Sequence, residues 1–147
     1  MYKWDNIEVA INFHAFGNLM CIPFNGDNSG GNNEGLTGNQ KYERSNRFYG
    51  DLDLSNTLPE NNRMGPGPLS IGYTASGEAS DWMLHDLGIT AMTAELGLDY
   101  SETFWFIIDR ESVNDVVKKN AKWVEFTMEW FSKQPEEEVT EEQSEIS

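Results

Sequence analysis

The chain has 147 residues, which is the size of one domain. It carries a net charge of −15 with only 38% apolar residues, so it offers no basic face for phosphate and nucleic acid is excluded as a partner. No run of eighteen apolar residues occurs, so no membrane span is expected.

Part of the acidity is local. The last thirteen residues, PEEEVTEEQSEIS, hold six Glu and no Lys or Arg. The expected division is therefore a folded body over 1–134 and an acidic disordered tail over 135–147. The start, MYKWDNIEVA, has neither the basic nor the apolar region of a signal peptide. The single cysteine, Cys21, allows no internal disulfide.

Residues 7–14, IEVAINFH, alternate as a strand. Ile7, Val9, Ile11 and Phe13 share one face; Ala10, Asn12 and His14 share the other. His14 then stands at the carboxyl end of its strand, where open α/β sheets place ligand sites. Taken alone, a lone His of this kind is more often a satisfied, half-buried side chain than a ligand. After the turn Phe16-Gly17-Asn18, LMCIPF (19–24) predicts a second strand. The run 25–40, rich in Gly and Asn, reads as a polar surface insertion. Its spacing imitates a calcium loop, but the twelfth position is Gly38 rather than Glu.

Residues 41–56 suit a short helix packing Phe48 and Tyr49, and 56–72 read as a loop because Pro, Asn and Gly dominate. A loop this long is usually functional, and it leads directly to Tyr73. A helix is expected from Ser76 or Gly77 to a C′ residue at Gly88, with Trp82, Leu84 and Leu87 inward and His85 and Asp86 in solvent. ITAMTAEL (89–96) predicts a strand covered on both faces, with Ile89, Ala91, Thr93 and Glu95 on one side. TFWFII (103–108) is another short apolar segment, read as strand or extended chain. Ser112 with Asp115 reads as a capping box opening a long helix. Its apolar stripe of Val113, Val116, Val117, Ala121, Val124, Met128 and Phe131 is read as core. The fold class is α/β: part of a mixed, mostly buried sheet flanked by helices, with too few strands to cover one flank.

Three blocks carry a resemblance. They are VAINFHAFGNLMCIPF, IGYTASGEASDW and GITAMTAELG, with eight residues from Tyr73 to Asp81 and twenty-two from Tyr73 to Glu95. In this order and at these intervals they resemble the C-terminal half of the zinc metallocarboxypeptidases of the carboxypeptidase A/B family, over residues 5 to about 132. The resemblance implies an incomplete zinc carboxypeptidase-like sheet and a site that hydrolyses the C-terminal bond of peptides and proteins. It implies that His14 is a zinc ligand and that Glu95 is the general base acting on zinc-activated water. It also implies that Tyr73 is a lid over the substrate's last residue and that Ser80 is the floor of the side-chain pocket. A small neutral floor argues against strict selection of Lys or Arg. Relatives are often secreted or vesicular.

The departures are as informative. The family's His-x-x-Glu ligand pair does not occur, since Gly17 and Gly88 stand three residues after the only two His, His14 and His85. Ala15 and Phe16 replace the family's Ser and Tyr, and Asn46-Arg47 spells the family's carboxylate clamp on the wrong side of His14. Zn2+ would need ligands that this chain lacks. The expectation is a fragment or truncated product, inactive alone and partnered by the missing N-terminal half of the domain. The rival reading is a non-catalytic peptide-binding remnant, and a third is an unfolded by-product with no function.

Overall fold

The computed structural model describes residues 6–26, 38–97 and 110–133. The apolar segment at 103–108, most of the polar insertion and the acidic tail lie outside these residues. The described elements run in the order β1 (Val9–Ala15), β2 (Leu19–Cys21), α1 (Gln40–Leu54), β3 (Arg63–Gly65), α2 (Gly67–Ser70), α3 (Ala79–Leu87), β4 (Thr90–Leu96) and α4 (Arg110–Ser132). The chain is a mixed α/β fold built on one four-stranded sheet in the order β1-β4-β2-β3. β4 pairs parallel with β1 and antiparallel with β2, and β3 pairs parallel with β2.

Register divides the sheet into two faces. Val9, Ile11 and Phe13 share a face with Met92, Ala94 and Met20. That face meets α1 and α4 in the core, through Phe48, Leu52, Trp123 and Phe131. The opposite face carries Ala10, Asn12 and His14 with Ala91, Thr93, Glu95 and Cys21. It meets α2, where the Cys21 thiol lies 3.3 Å from the Ser70 hydroxyl, and α3, whose Ser80 and Met83 close a cavity of about 100 Å³ against Ala10 and Ala91. The result is helices on both faces of a central sheet, as α/β layering requires.

The helix ends follow their sequence signals. Asn39 caps α1, its side-chain oxygen accepting from the Lys41 and Tyr42 amides. Gly88 ends α3 in the left-handed region at φ 65°, and its amide reaches Leu84 and Met83 carbonyls. α3 itself starts at Ala79, two or three residues later than expected, with no side-chain cap at Glu78.

Four sequence expectations differ from the structure. α1 is fifteen residues long and begins inside the segment read as insertion. The supposed loop 56–72 contains both β3 and α2. β3 is an edge strand of three residues, and α2 is one turn bearing Pro68, so neither shows a hydrophobic period. Trp82 is exposed, leaving Leu84 as the buried anchor of α3.

The fourth difference concerns α4. It begins at Arg110, ahead of the expected cap at Ser112, and its inward line is Trp123, Thr127 and Phe131. Trp123 is 0% exposed, whereas Val117 is 60% and Met128 is 67% exposed. The apolar arc is wider than one core face, and the bulkiest ring takes the inside. Phe13 stacks on Trp123 at 5.8 Å between ring centroids, which ties α4 to β1. Trp123→Ala is therefore expected to cost about 3–5 kcal/mol in urea unfolding. Val117→Ala is expected to stay within about 0.5 kcal/mol, the reverse of what an inward Val117 would give.

Candidate functional site

β1 and β4 run parallel, so their carboxyl ends coincide, and the last polar pair in their shared register is His14 opposite Glu95. Both side chains leave the same face. His14 Nδ1 stands 3.8 Å from Glu95 Oε1. His14 is exposed and Glu95 is half-buried. The two residues singled out from sequence are thus brought together across 81 positions of chain by one strand pairing.

Burial pushes the Glu95 carboxyl above its ordinary range; His14 draws it back down and Glu78 adds to the rise. The causes rank in that order, so desolvation outweighs the imidazole. A raised folded value means that the ionised form costs stability. The cost is absent where the carboxyl is protonated in both folded and unfolded chains, and it grows as pH rises through the ordinary Glu range into neutrality.

On the same face behind Glu95, Thr93 is buried, and its hydroxyl has no hydrogen-bond partner among the described residues. Its register partner is Cys21. The Cys21 thiol is pushed up by burial, opposed by the Ser70 hydroxyl and reinforced by Glu95 and Glu78. It is a buried, protonated thiol rather than a nucleophile. Sequence reasoning passed over Cys21 and Thr93, although strand alternation from Glu95 already assigned Thr93 to this face.

Ser80 is fully buried on the first turn of α3, and its hydroxyl lies 3.3 Å from Asn25 Nδ2, which donates to it. Next to it, Asp81 ties down the segment after β2. Its carboxylate accepts from the Asn25 backbone N–H at 2.9 Å to each oxygen, from Asn25 Nδ2 at 3.1 Å and from the Gly26 N–H at 3.0 Å. The Asn25 carbonyl in turn accepts from the Ala75 N–H at 2.9 Å. This network fixes the loop that bears Tyr73 against the loop after β2.

Gly67 makes that approach possible. A Cβ there would meet the Tyr73 carbonyl oxygen at 2.8 Å, closer than side chains tolerate, and the Asn25 carbonyl oxygen at a tight 3.0 Å. Tyr73 itself is 62% exposed, with its ring free of the core. Ser80 and Asp81 are therefore joined to the Tyr73 loop by hydrogen bonds, and His14 is joined to Glu95 by strand register.

Among the described residues, no group of three His, Cys, Asp or Glu side chains is placed to hold a metal ion. The His14–Glu95 pair offers one imidazole and one carboxylate, short of the three protein ligands of a catalytic zinc. By themselves the described residues do not fit that ion. No described helix is long and apolar enough to cross a membrane. A scan against protein-family models and a search of curated proteins each returned no match to this chain.

Two outcomes follow from this geometry. Glu95→Gln removes a carboxylate that is costly to ionise, so its melting temperature at pH 7 is expected to exceed that of the parent chain. The difference should close as pH falls below the ordinary Glu range. Asp81→Ala strands two backbone N–H groups, and a loss of about 2–4 kcal/mol in chemical denaturation is expected.

Proposed function

We propose that this chain is the C-terminal half of a zinc-dependent metallocarboxypeptidase that hydrolyses the C-terminal bond of peptides and proteins. Glu95 serves as general base, His14 as one metal ligand, Tyr73 as lid and Ser80 as part of the side-chain pocket. The observation that carries the reading is the placement of His14 opposite Glu95 at the carboxyl ends of two parallel strands. A carboxyl raised by burial is a stronger base than one in open solvent, which suits proton transfer from water. An exposed Tyr on a loop pinned by Asp81 and Gly67 suits a ring that swings over a substrate from a fixed base. The small, buried hydroxyl of Ser80 puts no carboxylate of its own at the pocket floor, which suits an uncharged or apolar side chain rather than strict selection of Lys or Arg.

The chain supplies one imidazole where the metal needs three ligands, so the remaining donors belong to another polypeptide segment bearing a His-x-x-Glu. The isolated chain is accordingly inactive. The same shortage favours a second reading, a non-catalytic remnant that holds peptide ends through Tyr73 and the pocket.

The test is hydrolysis of an N-blocked dipeptide with zinc. The isolated chain should show no turnover. The chain assembled with a His-x-x-Glu segment should turn over, and Glu95→Gln in that assembly should lower kcat by about 10²–10⁴-fold. Turnover by the isolated chain, or an assembly indifferent to Glu95→Gln, would sink the enzyme reading. Peptide binding by the isolated chain that weakens in Tyr73→Ala, with no turnover in any assembly, would establish the remnant.

A further inference from the structure

We propose that the uncovered apolar stripe of α4 is a self-association surface, on which a second copy of this chain lays its own α4 antiparallel. The inference stands apart from the functional reading above and concerns the face of the sheet opposite to His14 and Glu95.

Val117, Ala121, Val124 and Met128 follow one another at intervals of four, three and four residues. At about 3.6 residues per turn they form one line along the helix, and Val113 opens that line one turn earlier. Val113, Val117 and Met128 are exposed, and Ala121 and Val124 are half-buried. The core is served by a neighbouring line, Trp123, Thr127 and Phe131. A helix of 23 residues thus carries two packing lines, and the described elements bury one of them. Alternating threes and fours is the spacing at which two helices interlock side chains along a seam.

Charge selects a second copy as the occupant. Residues 110–133 hold five of the chain's ten Lys and Arg against four of its 25 Asp and Glu. Two copies therefore meet along α4 without the repulsion that a net charge of −15 imposes on the chain as a whole. The order of charges along the helix goes further. On the flank of the stripe turned away from the core line, Lys118 precedes Glu125 and Glu129. Lys118 and Glu125 are exposed, and neither makes an ion pair among the described residues.

An isologous antiparallel pair sets like flank against like flank, and residue i meets j where j meets i. Crossing between Lys122 and Trp123, the two helices bring Val117 against Met128 of the second copy and Ala121 against Val124. The two exposed, bulky positions thus cover each other, and the small Ala121 at the centre allows close approach. The same crossing sets Lys118 level with the turn between Glu125 and Glu129 of the second copy, twice over by symmetry. The seam runs about 24 Å, at the small end of specific interfaces, so the dimer is expected to dissociate at about 10–100 μM.

Analytical ultracentrifugation of the intact chain from about 1 μM to 1 mM tests this, with a monomer–dimer equilibrium as the expected result. Met128→Glu, at the most exposed position of the stripe, should weaken the dimer by about tenfold or more and leave the melting temperature of the monomer unchanged. Val117→Ser is a second variant with the same expected direction. Lys118→Glu turns the flank pairs into repulsions and should weaken the dimer by about fivefold at low salt. A monomer at every concentration, a dimer indifferent to both stripe variants, or species larger than a dimer would each overturn the proposal, the last because an isologous pair closes.

Cross-linking reads the orientation separately. A mixture of Val117→Cys and Met128→Cys chains should form a disulfide between unlike copies on air oxidation. Val117→Cys alone should not, because its two thiols lie about 16 Å apart along the antiparallel seam. Cys21 is buried and takes no part. A disulfide joining two Val117→Cys chains to each other would show a parallel pair and refute the arrangement.

Discussion

The parallel pairing of β1 with β4 is the constraint on which the rest of the molecule depends. Seven register pairs run from Val9–Thr90 to Ala15–Leu96, joining segments 81 positions apart in the chain. The pairing places Met92 and Ala94 in the core and Glu95 outside it. A slip of one residue would invert both sets, burying the carboxylate beneath α1 and α4 and turning Met92 towards α3. The apolar face thus enforces the register, and the register delivers the polar pair. Burial energy and site geometry are two consequences of a single alignment.

That alignment exacts a cost at the site. Glu95 sits where ionisation is disfavoured, and Thr93 behind it keeps an unpartnered hydroxyl. Elsewhere in the same region polar groups are well served. Asp81 alone satisfies two backbone amides and a side-chain amide, and the Tyr49 hydroxyl, buried in the core, donates to the Ala91 carbonyl at 2.8 Å. Unsatisfied polar atoms are not confined to this patch: Asn25 Oδ1, Arg44 Nε and Asn62 Oδ1 are also buried without a partner among the described residues, so burial cost by itself does not single out a site.

Apolar surface is not fully covered by the described elements. Among the described residues the sheet ends at β1, and Phe13 is half in solvent. Along α4 the apolar arc exceeds what α1 and the sheet cover.

Local pattern by itself determined a good part of this. Alternation in IEVAINFH and the apolar run of ITAMTAEL located β1 and β4 and assigned His14 and Glu95 to their outer ends, because a strand's period of two is a property of the backbone. Gly88 announced the end of α3, because few residues other than Gly take φ near 65° without cost. Only the tertiary structure decided which of the two faces of β1 met which face of β4, and hence that His14 and Glu95 stand 3.8 Å apart. It also decided that Trp123 rather than Val117 or Met128 points inward along α4, since a helix with a broad apolar arc has no preferred rotation until a partner is packed against it. β3 and α2 were invisible for a related reason. Three residues of edge strand and one helical turn are too short to have a period, and they exist because β2 and the Asn25 loop hold them in place.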